Sequence, residues 1–172
     1  KSILRGFIKR EPSKQFLNRI TDGTHMEVVD GIKVLKPSIV YLKNGYTYYT
    51  DADRNITKVS GIIELNDAKR IPSAQKAIVQ RTGIPGEDQG GHLIAKIFNG
   101  SGDIDNLVAM DRVVNQSEYR RVENAIKKAV MEGNVVSVEI EVIRNGSKRP
   151  SEFKFSYSIN GERPVIHNIP NN

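Results

Sequence analysis

Two β-rich runs joined by Asn-Gly constrain this chain more than any other feature. Ile39-Val40-Tyr41-Leu42 and Tyr46-Thr47-Tyr48-Tyr49-Thr50 flank Lys43-Asn44-Gly45. Asn and Gly both tolerate left-handed backbone, which a tight type I′ turn requires, and that turn has the twist of paired strands. An antiparallel hairpin is therefore expected. The turn-like Asp51-Ala52-Asp53-Arg54-Asn55 follows, and residues 56–65 read as a third strand of the same meander. Residues 135–143 and 153–159 alternate apolar with polar side chains, the period of a half-buried strand. Asn160-Gly161 marks another turn, and residues 165–169 read as a last edge strand.

Helical spacing occurs in two places. Residues 73–81 form a short helix, capped by Ser73 after Pro72 and ended by Gly83-Ile84-Pro85-Gly86. The stronger pattern runs over residues 115–132, where Tyr119, Val122, Ile126, Ala129 and Val130 recur on one face and Gly133-Asn134 gives the stop. Segregated strands and helices of this kind predict an α+β fold around an antiparallel sheet. Residues 1–36 show only short apolar groups and read as an N-terminal arm, with 1–10 as a linker; residues 37–172 read as the functional domain. The chain opens at Lys1 without a signal-like segment, so it reads as a piece of a longer protein whose targeting signal is elsewhere.

Composition narrows the chemistry. The absence of cysteine excludes disulfide scaffolds and thiolate-bound zinc, leaving His, carboxylate and amide oxygens as metal ligands. No apolar run approaches the roughly 20 residues that span a bilayer. The 26 Lys and Arg against 20 Asp and Glu give a net charge of +6, which favours a polyanionic partner through counterion release and steering.

Two segments carry the candidate chemistry. In Asp88-Gln89-Gly90-Gly91-His92, a histidine follows two glycines, where the backbone is free to turn sharply beside a substrate. Neutral imidazole is a natural base for taking a proton from water. In Asn115-Gln116-Ser117-Glu118-Tyr119-Arg120-Arg121-Val122-Glu123, the first and last residues lie eight apart. On one continuous helix that spacing puts Asn115 and Glu123 within about a quarter turn. An amide oxygen and a carboxylate suit a hard cation such as Mg²⁺. Structural readings stand beside these: Asn115 as a helix N-cap, Glu123 as the partner of Lys127 four residues on, and Arg120, Arg121, Lys127 and Lys128 as a solvated helix face. Asp88 reads as a turn-fixing carboxylate, and His25 and His167 as ordinary polar residues.

Together with Phe98-Asn99-Gly100-Ser101-Gly102-Asp103-Ile104-Asp105-Asn106-Leu107-Val108, these segments resemble the DNA/RNA non-specific endonucleases of the ββα-metal (His-Me finger) superfamily. More narrowly they are similar to the C-terminal nuclease domains of LXG-type bacterial polymorphic toxins. The resemblance covers residues 46–169 and is densest over 88–124. It implies a ββα-metal core, with His92 as general base, Asn115 as metal ligand and Glu123 holding metal-bound water. It implies Mg²⁺, or another divalent cation such as Mn²⁺, and hydrolysis of phosphodiester bonds in DNA or RNA. It further implies the payload of a secreted bacterial antibacterial effector acting in the cytoplasm of a target cell, countered by an acidic immunity protein.

The sequence departs from the family pattern at one informative place. Many relatives have Asp-Arg-Gly-His, whose arginine touches phosphate, whereas this chain carries an extra glycine and Gln89. A substitute cation is expected to join Gln89 in substrate binding: Arg81 at the end of the preceding helix, or alternatively Arg120. Tyr119 stands where tryptophan is common, a packing change, and Asn106 is expected to orient the loop before the helix. The rival expectation is a nucleic-acid-binding module that retains this fold without the catalysis.

Overall fold

The structure, a computed structural model, describes residues 18–172; the linker expected over residues 1–10 lies outside them. The hairpin forms as expected. Strands β4 (Ile39–Lys43) and β5 (Tyr46–Thr50) pair antiparallel with Lys43 opposite Tyr46, and Asn44 and Gly45 take φ of 54° and 87°. β6 (Ile56–Ile62) continues the meander. β9 (Val136–Arg144), β10 (Pro150–Ile159) and β11 (Val165–Pro170) extend it on the far side of β6. At the other edge, β1 (Asn18–Ile20) lies parallel to β4, giving a seven-stranded sheet in the order β1-β4-β5-β6-β9-β10-β11. Residues 18–36, read from sequence as part of the arm, thus supply β1 and a separate hairpin of β2 (Met26–Val29) and β3 (Ile32–Leu35).

Alternation along the strands makes one face of the sheet apolar. Val136, Val138, Ile140 and Val142 of β9, Phe153 and Phe155 of β10, and Tyr46 and Tyr48 of β5 are all buried there. Against this face lies α3 (Glu118–Met131), whose buried Tyr119, Val122, Ile126 and Ala129 form the expected stripe. The Tyr119 ring meets Phe153 edge-on at 5.6 Å and tilts onto Phe155 at 5.1 Å. Ring contacts of this kind add roughly 0.5–1.5 kcal/mol to burial.

Two helical expectations need correction. The single helix over residues 115–132 is two: α2 (Arg112–Gln116) and α3, separated by Ser117 at φ −121° and ψ −88°. Asp111 starts α2 by accepting from the Val114 N–H at 3.0 Å, so Asn115 is not a cap. The Ser117 hydroxyl donates back to the Val113 carbonyl, a competing bond that bends or ends helices. The other helix, α1 (Pro72–Thr82), begins with Pro72 in its first turn and Ile71 at the cap position, so Ser73 caps nothing. Proline fits there because its missing N–H would have had no helical partner.

Between α1 and α2, strands β7 (Asp88–His92) and β8 (Leu107–Asp111) pair antiparallel without a register shift, His92 opposite Leu107. With the helices that follow, they complete a ββα unit on the apolar side of the sheet. This is the α+β architecture with a ββα core.

Candidate active site

The two glycines before His92 are strand residues, not a sharp turn. A Cβ at Gly90 would lie 2.5 Å from the Gln75 Cα of α1, and one at Gly91 would lie 2.8 Å from the Met110 Cβ. Both are too close for any side chain, so β7 is pressed between α1 and its own hairpin partner. Gln75 also donates from its amide to the Gly90 carbonyl at 2.9 Å. His92 therefore leaves the end of a strand whose position is fixed from both faces.

The chain then enters residues 93–106, which are held from inside. Asn106 is fully buried; its carboxamide accepts from the Tyr48 hydroxyl and the Ile94 N–H and donates to the Ile94 and Ser101 carbonyls. Every site of that amide is in use, so Asn106 orients the loop after His92 rather than the loop before the helix. Tyr48 belongs to a ring stack with Tyr41 and the buried His25, whose Nε2 lies 2.8 Å from Asp105. His25 is thus a core histidine. Tyr119 donates to the Leu93 carbonyl at 2.7 Å, tying α3 to the residue beside His92.

Asn115 reaches the same place from α2, and Glu123 from α3, although no continuous helix joins them. Asn115 Nδ2 donates to Gln89 Oε1 at 3.0 Å. Its carbonyl oxygen is left without a protein donor among the described residues. Gln89 stands behind Asn115 and does not itself line the cleft. Among the described residues Glu123 makes no ion pair, with Lys127 or any other cation. Burial, opposed only in part by the Arg120 charge, pushes its carboxyl up to about 8.

These three side chains line one cleft of about 310 Å³, together with Arg70, Lys96, Arg120 and Lys127. The imidazole of His92 is half-buried, and its Nε2 has no hydrogen-bond partner among the described residues. Burial first, then the nearby charges of Arg70 and Lys96, lower its pKa to about 4. At neutral pH it is an uncharged base in a positively charged cleft. Arg120 is therefore at the site, but Arg81 is not: its Nη1 donates to the Lys33 carbonyl at 2.9 Å and its side chain lines a different cavity. Asp88, as expected, fixes the turn, accepting from the Ile84 N–H at 2.8 Å and gripping Arg149 through two bonds of 2.7 Å.

A family model for DNA/RNA non-specific endonucleases matches residues 37–161. The chain belongs to that family. Within the endonuclease family it is similar to the type VII secretion system protein EssD of Staphylococcus aureus strains USA300 and Newman, 37% identical over 142 residues. Those residues are 77% of this chain but 23% of the relatives, so the chain spans about a quarter of their length. The fold is shared with NucA of Streptococcus agalactiae: the magnesium-bound structure aligns over 86% of this chain and 82% of NucA with a TM-score of 0.63 at 18% identity, and the metal-free structure with a TM-score of 0.55.

For an endonuclease of this family the donor set here fits a hard divalent cation held by few protein ligands. Among the described residues no group of three or more His, Asp and Glu converges. What converges is one uncommitted amide oxygen and one buried carboxyl group without an ion pair among the described residues, its pKa raised to about 8 and so ready to exchange its proton for a cation. Mg²⁺ accepts such a set because it keeps several waters. Arg70 and Lys96 were not legible as site residues. The only hint was the basic pair Lys69-Arg70 ahead of α1, while Lys96 sits in the loop with no motif of its own.

Proposed function

We propose that this domain is a metal-dependent endonuclease that hydrolyses internal phosphodiester bonds of DNA or RNA without sequence preference. One observation carries the reading: His92, Asn115 and Glu123, from three separate elements, line a single basic cleft. Asn115 and Glu123 are the residues that would hold Mg²⁺ or Mn²⁺, which when bound supplies positive charge to the phosphate and the leaving oxygen. That NucA, which shares the fold, binds magnesium supports the choice of metal.

The remaining work falls to the chain's own groups. His92, neutral at pH 7, takes the proton of the attacking water. Arg70, Lys96, Arg120 and Lys127 hold the phosphates on either side. Contacts of this kind fix the strand's position and read no bases, which accounts for the lack of sequence preference. Gln89 serves behind Asn115, occupying its N–H so that the amide presents oxygen. Kinship with a type VII secretion system protein supports the further reading of a secreted effector domain that acts in the cytoplasm of a target cell. An acidic immunity protein covering the basic cleft would protect the producer.

The test is degradation of plasmid DNA, and of RNA in parallel, with Mg²⁺, with EDTA, and with the His92→Ala protein. Cleavage is expected only from the intact protein with metal. Equal cleavage by His92→Ala removes the mechanism, and a metal-independent gel shift without cleavage favours the binding module.

A further inference from the structure

A second cavity, of about 240 Å³, opens between α1, β8 and the β6–β9 part of the sheet and shares no residue with the His92 cleft. That is about eight times the ~30 Å³ that a water occupies in the liquid. Its wall is apolar, with Ile56, Ile78 and Leu107, yet four cations also line it: Arg54, Arg81, Arg144 and Lys148. Glu27 pairs with Arg54, and among the described residues the exposed Asp53 is the one carboxylate lining the cavity. Arg81, Arg144 and Lys148 make no ion pair among the described residues.

Arg144 is the informative group. Its side chain is half-buried and is held by carbonyls alone, Nη1 on Ile56 at 2.6 Å and Nε on Lys148 at 2.8 Å. Burial draws its pKa below the ordinary arginine value, and the Asp51 charge offsets this only in part. Carbonyl dipoles orient a guanidinium without neutralising it, and a partly buried cation without a counter-ion is costly. Arg81 is oriented in the same way by the Lys33 carbonyl. An anion with several acceptor oxygens would answer both guanidinium groups; carboxylate and phosphate both match a planar fork, and phosphate has the greater charge and the oxygens to meet two forks at once. The apolar wall beside them suits a flat, weakly polar body attached to that phosphate.

We propose that this cavity is a nucleotide-binding site, separate from the catalytic cleft, with phosphate at Arg144, Arg81 and Lys148 and the base against Ile56, Ile78 and Leu107. The phosphate would belong either to a free mononucleotide or to a residue of a longer strand.

The experiment titrates the full chain with deoxyadenosine monophosphate, deoxyadenosine, inorganic phosphate and a d(ApA) dinucleotide, followed by amide chemical shifts in EDTA. Excluding metal separates this test from the proposed hydrolysis, which needs it. The monophosphate is expected to bind at least about fivefold more tightly than deoxyadenosine or phosphate alone, because each supplies only part of the contact. Shifts should fall on residues around Ile56, Ile78 and Leu107. Tighter binding of d(ApA) assigns the site to a strand, and equal binding to the free nucleotide. Arg144→Gln should weaken binding by about tenfold, the worth of a charge-assisted bond. Lys148→Glu, at the exposed rim where folding is not at stake, should weaken it in the same sense. Shifts confined to the His92 cleft, equal affinity for deoxyadenosine, or a Lys148→Glu protein that binds the monophosphate as the parent does would overturn the assignment.

Discussion

If Asn115 holds the metal as proposed, replacing Gln89 by leucine tests how the cleft presents its oxygen. The bond removed is the 3.0 Å contact from Asn115 Nδ2 to Gln89 Oε1. A neutral hydrogen bond between half-buried groups nets about 1 kcal/mol, or roughly fivefold in an equilibrium constant. The effect on metal binding should exceed this, because without Gln89 the Asn115 amide is free to turn its NH₂ toward the cation. Removing a partner behind a metal ligand commonly costs about 10–100-fold in metal affinity. Gln89→Leu should therefore weaken Mg²⁺ or Mn²⁺ binding by about tenfold, measured calorimetrically without nucleic acid. A loss of ~1 kcal/mol in a domain of this size lowers Tm by only about 2–4 °C. The Mg²⁺ needed for half-maximal plasmid nicking should rise in parallel, while the rate at saturating Mg²⁺ stays near that of the parent. Gln89→Glu, which keeps an acceptor oxygen, should restore metal binding; Gln89→Arg, which offers only donors, should not. Unchanged Mg²⁺ affinity in Gln89→Leu, or parental nicking by Gln89→Arg at low Mg²⁺, would refute the positioning role.

Other consequences follow from the same geometry. If Arg70 and Lys96 hold phosphates, Arg70→Ala and Lys96→Ala should each reduce the steepness of the salt dependence of DNA binding by about one counterion, with KM affected more than kcat. The acid limb of kcat/KM at saturating Mg²⁺ should report His92: the imidazole is a base only when neutral, so activity should hold down the pH scale and fall as pH drops through about 4. An acid limb near 6.5 would show that burial and the nearby cations do not depress the imidazole. Arg149→Met leaves Asp88, whose side chain is fully buried, without the cation that grips it, and should cost about 3 kcal/mol in urea unfolding. Burial alone would raise the Asp88 pKa, but bonds from Arg149 and the Ile84 N–H outweigh it and hold it below 3.8. The stability this supplies is present above the usual carboxylate range and lost as pH falls through the depressed value, so the gap between parent and variant should narrow in strong acid. Gly90→Ala should destabilise more than Gly91→Ala, by about 1–3 kcal/mol of overpacking, because Gly90 faces helix backbone and Gly91 a methionine side chain.

The elements legible in the sequence are those with local causes. The β4–β5 hairpin depends on two adjacent residues in left-handed conformations, and the apolar stripe of α3 depends only on spacing. The break at Ser117 escaped because Tyr119, Val122, Ile126 and Ala129 keep their period beyond it, while the interruption comes from the Asp111 cap and the Ser117 hydroxyl. β1 has three residues, and its partner β4 lies about twenty positions away, so no local pattern announces it. The same division holds in the cleft. His92, Asn115 and Glu123 were legible as residue types suited to the chemistry. Arg70 and Lys96 come together through tertiary contacts: the Ala68 N–H donates to the Lys96 carbonyl at 2.9 Å, the Asn66 N–H to the Ile97 carbonyl at 3.0 Å, and Lys96 pairs with Asp67 at 2.8 Å.

The glycine pair before His92 also sets which face of β7 the polar residue at position 89 takes. Side chains along a strand alternate between faces, so residues two apart share a face and residues three apart do not. In the resembling motif Asp-Arg-Gly-His the arginine lies two before the histidine, a spacing that on a strand puts both on one face. Here the position two before His92 is Gly90, where the backbone of α1 at Gln75 leaves no room for a side chain. The inserted glycine moves the polar residue to position 89, three before His92, and so to the opposite face, where it meets Asn115. An arginine placed there would point toward Asn115, adding donors where the proposed metal ligand needs an acceptor behind it. The cations of the cleft then come from outside β7, and the segment ahead of α1 supplies Arg70. The pleat parity of β7 thus directs Gln89 to Asn115 and keeps it from lining the cleft that His92 enters.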